Sequence, residues 1–455
     1  MSNVRNFGAT GDGTVDDTQA IRHALEAGDG MLRFPRGTYR ITETINIDLQ
    51  GSGPHAIDGT GGTARLIMAG PGPAFRLVGT HGGTGDPSSA KGNVTADQRM
   101  PTVANMVIEG EHPEADGIEL VKTLQLVVQG VLVRHCRHGI RLVQRNRNVL
   151  ITDSHVYFNR GAGIYLDQVN LHQINITGSH ISYNRLGGIR IEGSEVRNLQ
   201  ITGNDIEYNN HKEHKSDPVP TAEIYVDCSQ PGASVNEITI ASNTIQATAS
   251  PGGANIRIID SAGGQEFEPR LWAITGNIIG SQQNNVHLTR CHGMTLSGNC
   301  IYSCAERNLL VEDSHHIALS GNVFRRHTPS MGTGVRLVGC HDIAFSGCSI
   351  HDEHPEGQPT GASLLELVDC QRINVSGCQL TDGVPYGVDS VDCSGVLITG
   401  CTIQDTRNKP KSQSAIRFAG TGQGNLIAAS SIGRGLDGRV SIEESASVQF
   451  DGNSR

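Results

Sequence analysis

At 455 residues the chain has room for two or three ordinary domains or for one long repetitive one. Its 57 glycines and 4% aromatic residues argue for many turns and against a single large globular core. A net charge of −10 excludes nucleic acid as the expected partner, and no apolar run approaches the roughly 18 residues of a membrane span.

The chain opens with "MSNVRNFGA", which contains no apolar stretch able to act as a signal peptide. The expected location is therefore cytoplasmic, or secreted or periplasmic if a signal has been removed. In "NFGATGDGTVDDTQAI" (6–21), Asp16, Asp17 and Thr18 read as cap and first-turn residues of a helix over about 17–27. Residues 1–50 are expected to form an N-terminal cap and a first coil, the helix closing the open end of a stack of strands. "GTHGGTGDPSSAKG", within a long loop near 79–102, reads as a flexible flap.

From residue 117 one phrase recurs: "GIEL", "GIRL" (139), "GIYL" (163), "GIRI" (188), "EIYV" (223), "NIRI" (255), and on to "RVSI" (439), at intervals of 22 to 35 residues. A second phrase lies between these, as in "ITGNDI", "LSGNCI" and "ITGCTI". Each alternates apolar with other residues, and no segment between them holds a crossover helix. The period predicts an all-β parallel β-helix over 51–455, of about 12 or more coils, with long loops near 79–102, 208–221 and 351–362. Asn204, Asn243, Asn277, Asn299 and Asn322, continued by Cys348, Cys378 and Cys401, are expected to stack as a side-chain ladder. Cys291, Cys340, Cys370 and Cys393 form a second aligned set. Most of the 11 cysteines thus read as small buried filler.

The start, "VRNFGATGDGTVDDTQAIRHAL" with "GDGMLRFPRGTYRI", closely resembles the N-terminal segment of the pectate-lyase-like superfamily of right-handed parallel β-helices. That superfamily includes polysaccharide lyases, glycoside hydrolases, fructotransferases, uronate epimerases and tailspikes. The resemblance implies the fold and an oligo- or polysaccharide partner. It brings no single family's catalytic signature, and the tailspike members imply a homotrimer as one possible assembly.

On a β-helix strand side chains alternate inward and outward. The outward positions of consecutive coils then stack Asp167, Glu192 and Asp227, with Glu223 opening the third strand. Carboxylates one coil apart suit glycosidic bond chemistry, and like charges at that spacing should raise one pKa as a general acid requires. Arg141, Tyr165, Arg190, Tyr225 and Arg257 interleave as candidate substrate contacts, with His211 in the 208–221 loop. "RHCRHGIRLVQRNRN" (134–148) offers five arginines for an anionic group such as a uronate. "HDEHPEG" (351–357) and "EGEHPEADG" (109–117) have metal-like composition but read as solvated loops.

The expected function is a hydrolase or transglycosidase that needs no cofactor. The alternative is a lyase acting by β-elimination on a uronate, in which the acids would hold Ca2+. A non-catalytic glycan-binding or structural β-helix is the third reading, ranked lower because binding faces need aromatic platforms.

Overall fold

Strand alternation alone sets the register of this fold. The computed structural model describes residues 2–83, 85–209, 221–260, 269–352, 358–443 and 445–452. They form an all-β parallel solenoid of about 16 turns. The chain divides into two compact units, Met1–Thr239 and Ile240–Arg455. No helix among the described residues is long and apolar enough to cross a membrane.

In the first unit the recurring phrase lies in strands Ala115–Val121, Ile140–Thr152, Ile164–Thr177, Ile189–Glu192 and Ala222–Asp227. They pair in parallel with Ile118, Ile140, Ile164, Ile189 and Ile224 in one register, all fully buried. Each such side chain contributes about 1.5–3 kcal/mol on leaving water. The glycine before it is required by close approach. A Cβ on Gly163 would sit 2.8 Å from the Gly188 carbonyl oxygen of the next coil.

The second unit repeats the scheme with Ile256, Val286, Leu309, Val335, Leu365, Val388, Ile416 and Val440 in register. Its expected amide ladder is present. Nδ2 of Asn243, Asn277 and Asn299 donates to Oδ1 of the next asparagine at 2.9, 3.0 and 2.9 Å, ending on Asn322. Asn322 Nδ2 then meets Cys348 Sγ at 3.9 Å, and Cys378 N donates to Cys401 Sγ at 3.4 Å. All eleven cysteines are free thiols, and only Cys300 is not fully buried.

At the N-terminus the helix spans Thr18–Ala27 and buries Ile21 and Ala24. Asp17 makes no cap bond. Its carboxylate accepts from Thr10 N (2.6 Å) and Gly11 N (3.1 Å), which holds the glycine-rich loop. Residues 79–102 contain the short helix Gly92–Asp97, and the loop is tied down. Arg147 donates to the carbonyls of Gly85 (2.9 Å) and Asp86 (3.1 Å), while buried Gln98 pairs with Thr80.

Candidate functional site

The predicted outward file exists in the predicted register, with Asp167, Glu192 and Asp227 paired in turn on neighbouring strands. Its electrostatics differ from expectation. Arg141 reaches Glu119 (3.0 Å) and Asp167 (3.0 Å from Nε), and Arg76 reaches Glu119 from the other side at 2.5 Å. Arg190 grips Glu192 through Nε (2.7 Å) and Nη2 (2.6 Å), and the Tyr165 hydroxyl donates to the same carboxylate at 2.8 Å. Burial works to raise the Glu192 pKa, but the Arg190 bonds and charge outweigh it and hold the carboxyl below its ordinary value. At Asp167 and Glu192 the like charges expected to produce a general acid are each met by an arginine.

Arg190 also lies over the Tyr225 ring at 4.3 Å, and Tyr225 Oη approaches Asp227 Oδ2 at 3.4 Å. His138, in contact with Tyr165 at 5.0 Å between ring centres, is pushed down to about 4, chiefly by burial, and is neutral at pH 7. Its Nδ1 accepts from Ala162 N, leaving Nε2 as a donor.

Glu223 corrects the sequence reading more sharply. Strict alternation points it outward, yet it is fully buried. It ends an unforeseen amide ladder in which Asn159 and Asn184 each donate Nδ2 to the next asparagine at 2.8 Å, and Asn209 N donates to Glu223 Oε2 at 3.0 Å. Burial raises its pKa well above the ordinary value, which disfavours the ionised form of this buried ladder group. Because the folded-state pKa is the higher one, its stability contribution is complete below the unfolded pKa of about 4.3 and is lost as pH rises toward the folded value. Glu223→Gln is therefore expected to raise Tm by about 2–4 °C at pH 8 and to leave it unchanged at pH 4, read by thermal unfolding.

Arg257 lies in the second unit, in register with His287, and donates to Gly252 O at 3.0 Å. His211 lies outside the described residues, as do Glu353, His354 and Glu356 of the 351–357 segment. Asp352 is buried in an ion pair with Arg326 at 3.2 Å, Glu109 pairs with Arg65 and Arg134, and Asp116 with Arg137 at 2.6 Å. Among the described residues no group of three or more His, Cys, Asp or Glu is placed to hold a metal ion. Asp167 and Glu192, two of the acids expected to hold Ca2+ in a lyase, are engaged by arginines.

A second constellation, missed in the sequence, lies on strands His155–Tyr157, His180–Ser182 and Asp205–Glu207. Their register stacks His155, His180 and Asp205 in one outward file and Tyr157, Ser182 and Glu207 in the next. His180 Nδ1 stands 3.5 Å from Asp205 Oδ2. The Glu207 pKa is raised by burial and then by the Asp205 charge. Directly after each of these strands, and after Leu132–Arg134 one coil earlier, comes a residue with left-handed backbone: His135, Phe158, Tyr183 and Tyr208, with φ between 52° and 60°. Their rings stack at 6.0, 4.8 and 5.8 Å with interplanar angles of 17°, 9° and 6°. Phe158 and Tyr183 are 51% and 38% exposed. A bulky side chain in this conformation costs about 1–2 kcal/mol, partly offset by about 0.5–1.5 kcal/mol per ring pair. The signal in the sequence is "HCR", "FNR", "YNR", "YNN" at 135, 158, 183 and 208.

Parallel coils with in-register outward files define a β-helix. Two family models match the chain: "Right handed beta helix region" over residues 88–206 and 284–454, and "Rhamnogalacturonase A/epimerase, pectate lyase-like" over residues 1–69. The first spans more than half of the sequence, and the chain belongs to the right-handed β-helix family. Comparison with curated proteins gives no match. Among solved structures the chain is similar to the Dettilon tailspike protein gp208, with a TM-score of 0.52 at 14% identity over 92% of this chain and 68% of that one. It is similar to the A-module of the Azotobacter vinelandii mannuronan C-5 epimerase AlgE4, with a TM-score of 0.43 at 14% identity over 98% and 99% of the two chains. The catalytic unit of the GH87 α-1,3-glucanase from Streptomyces thermodiastaticus strain HF3-3 is similar too, with a TM-score of 0.38 at 12% identity over 100% and 68%. At these identities the likeness is one of fold.

Proposed function

We propose that this chain acts on an oligo- or polysaccharide and hydrolyses a glycosidic bond, with Glu207 as general acid and Asp205 as general base. The observation that carries the reading is one three-residue strand holding two outward carboxylates, one with a raised pKa, beside a platform of stacked rings. Positions two apart on a strand are separated by about 6.6 Å. That falls in the range of about 6.5–9.5 Å in which a water fits between the carboxyls and inversion results. Glu207 would give its proton to the leaving oxygen while Asp205 takes one from the attacking water. Tyr183 and Phe158 would face the sugar rings. The pectate-lyase-like model matched at the N-terminus, which names polysaccharide enzymes, agrees with a carbohydrate substrate. The test is polysaccharide cleavage by the purified protein and its Glu207→Gln variant, with the anomer of the first product read by NMR. An inactive wild type, or a fully active variant, rejects the assignment.

A second reading is favoured by Tyr165 standing between neutral His138 and the Arg190–Glu192 pair. In β-elimination on a uronate Tyr165, whose pKa is raised by burial and then by the Glu192 charge, would keep its proton and give it to the leaving oxygen, and the predicted residues Asp167, Glu192 and Asp227 would orient the groups around it. It requires an unsaturated, ultraviolet-absorbing product that Tyr165→Phe abolishes and Glu207→Gln does not.

A further inference from the structure

On another face of the first unit the coils form an open groove of about 670 Å³. Its floor carries a file of amide side chains, Gln125, Asn148, Gln173 and Asn198, each with left-handed backbone at φ of 58°, 55°, 64° and 56°. The next outward file is Val127, Leu150, Asn175 and Gln200, in register on successive strands. Arg99 and Met100, held by the anchored Gln98 beside them, form one wall.

Three properties of this groove belong together. First, the amides are unspent. Asparagines 159, 184 and 209 of the buried ladder hydrogen-bond coil upon coil. The side chains of Gln125, Asn148, Gln173 and Asn198, by contrast, make no hydrogen bond among the described residues, and Asn148 Oδ1 is shielded from solvent without a donor. Second, the two files hold no charged residue, in a chain that is 18% charged, and Arg99 is the sole charged group among the lining residues. Third, apolar side chains lie open among the amides, with Leu150 41% and Met100 65% exposed.

Side-chain amides both donate and accept, as hydroxyl groups do, and exposed aliphatic carbon suits the C–H faces of sugar rings. An anionic chain would find one arginine and a row of neutral dipoles. We infer that this groove binds an uncharged, hydroxyl-rich glycan running across the coils, with one amide contact per coil. The inference rests on the proposed carbohydrate function for the class of ligand, and it adds that the chain bound is neutral and that it is held at a distance from Glu207 along the strand course.

Substitution by glycine removes each amide without strain, because glycine adopts the left-handed backbone freely. The experiment is calorimetric titration of the wild type, of Asn148→Gly/Gln173→Gly and of Glu207→Gln. The probes are cellohexaose, laminarihexaose, maltohexaose and mannohexaose, with hexagalacturonate as the charged control. The expected result is binding of at least one neutral probe in preference to hexagalacturonate. The double variant should weaken that binding about ten-fold, and Glu207→Gln should leave it unchanged. Preference for hexagalacturonate, no binding of any neutral probe, or equal binding by the double variant overturns the inference. So does self-association of the wild type that the double variant abolishes, since the face would then pair with a second copy. Groove-dependent binding without cleavage of the bound probe would instead remove the hydrolytic reading and leave the groove standing.

Discussion

Glu207→Gln is expected to lower kcat by about 10²–10⁴-fold, the usual contribution of a positioned general acid, with substrate affinity unchanged. The expectation rests on the environment of the group. Burial and the Asp205 charge both disfavour the ionised form, so Glu207 keeps its proton at a pH where an ordinary surface carboxyl has lost it. Activity should therefore fall on the alkaline side as Glu207 ionises, and the residual activity of the glutamine variant should lack that limb. Asp205→Asn should be comparably damaging, whereas Glu192→Gln, which alters a carboxylate already clamped by Arg190, should spare hydrolysis. A pH–rate profile of the three variants with one polysaccharide checks all three expectations. An alkaline limb that survives in Glu207→Gln would assign the acid elsewhere.

The largest expected effect on stability is at the centre of the second unit's amide ladder. Asn299 accepts from the backbone N of Asn277 (3.0 Å) and donates to Ile274 O (2.9 Å) and Asn322 Oδ1 (2.9 Å). Asn299→Ala takes the acceptor from both the backbone N–H and the side-chain Nδ2 of buried Asn277, and each such orphan costs about 1–3 kcal/mol. A loss of about 3 kcal/mol or more is expected in urea unfolding. Asn299→Cys should lose clearly less, because Cys378 and Cys401 occupy the equivalent place farther along and Cys401 Sγ accepts from the Cys378 backbone N–H at 3.4 Å. Equal losses for the two variants would mean that volume, not hydrogen bonding, sets the cost.

What could be read in the sequence depends on how local each interaction is. The register of Ile118, Ile140, Ile164, Ile189 and Ile224 is written in strand alternation, and so is the Asn-to-Cys ladder. Strict alternation puts Glu223 outward, yet it takes the place that Gly188 holds just before the strand one coil earlier, and there its carboxyl meets Asn209 instead of solvent. The ionised state of Glu192 depends on Arg190, two residues away on the same strand, closing a two-point grip, which is a rotamer choice rather than a pattern. The ring file is hidden in composition for a different reason. A content of 4% aromatic residues is low on average, but residues 158, 183 and 208 fall one coil apart, so stacking concentrates what composition dilutes.

The cysteines have a use that packing does not suggest. The first unit holds Cys136 and Cys228, and the other nine thiols are spread along the second. A buried thiol cannot meet an alkylating reagent until its surroundings open, so each cysteine times the opening of its own coil. Intact-mass spectra after brief alkylation in rising urea would show a ladder of partly labelled species if the second unit frays from one end. If its coils open together, only folded molecules, labelled at most at the partly exposed Cys300, and molecules with all nine thiols labelled would appear. The residues that continue the asparagine ladder thus make the molecule its own clock for unwinding.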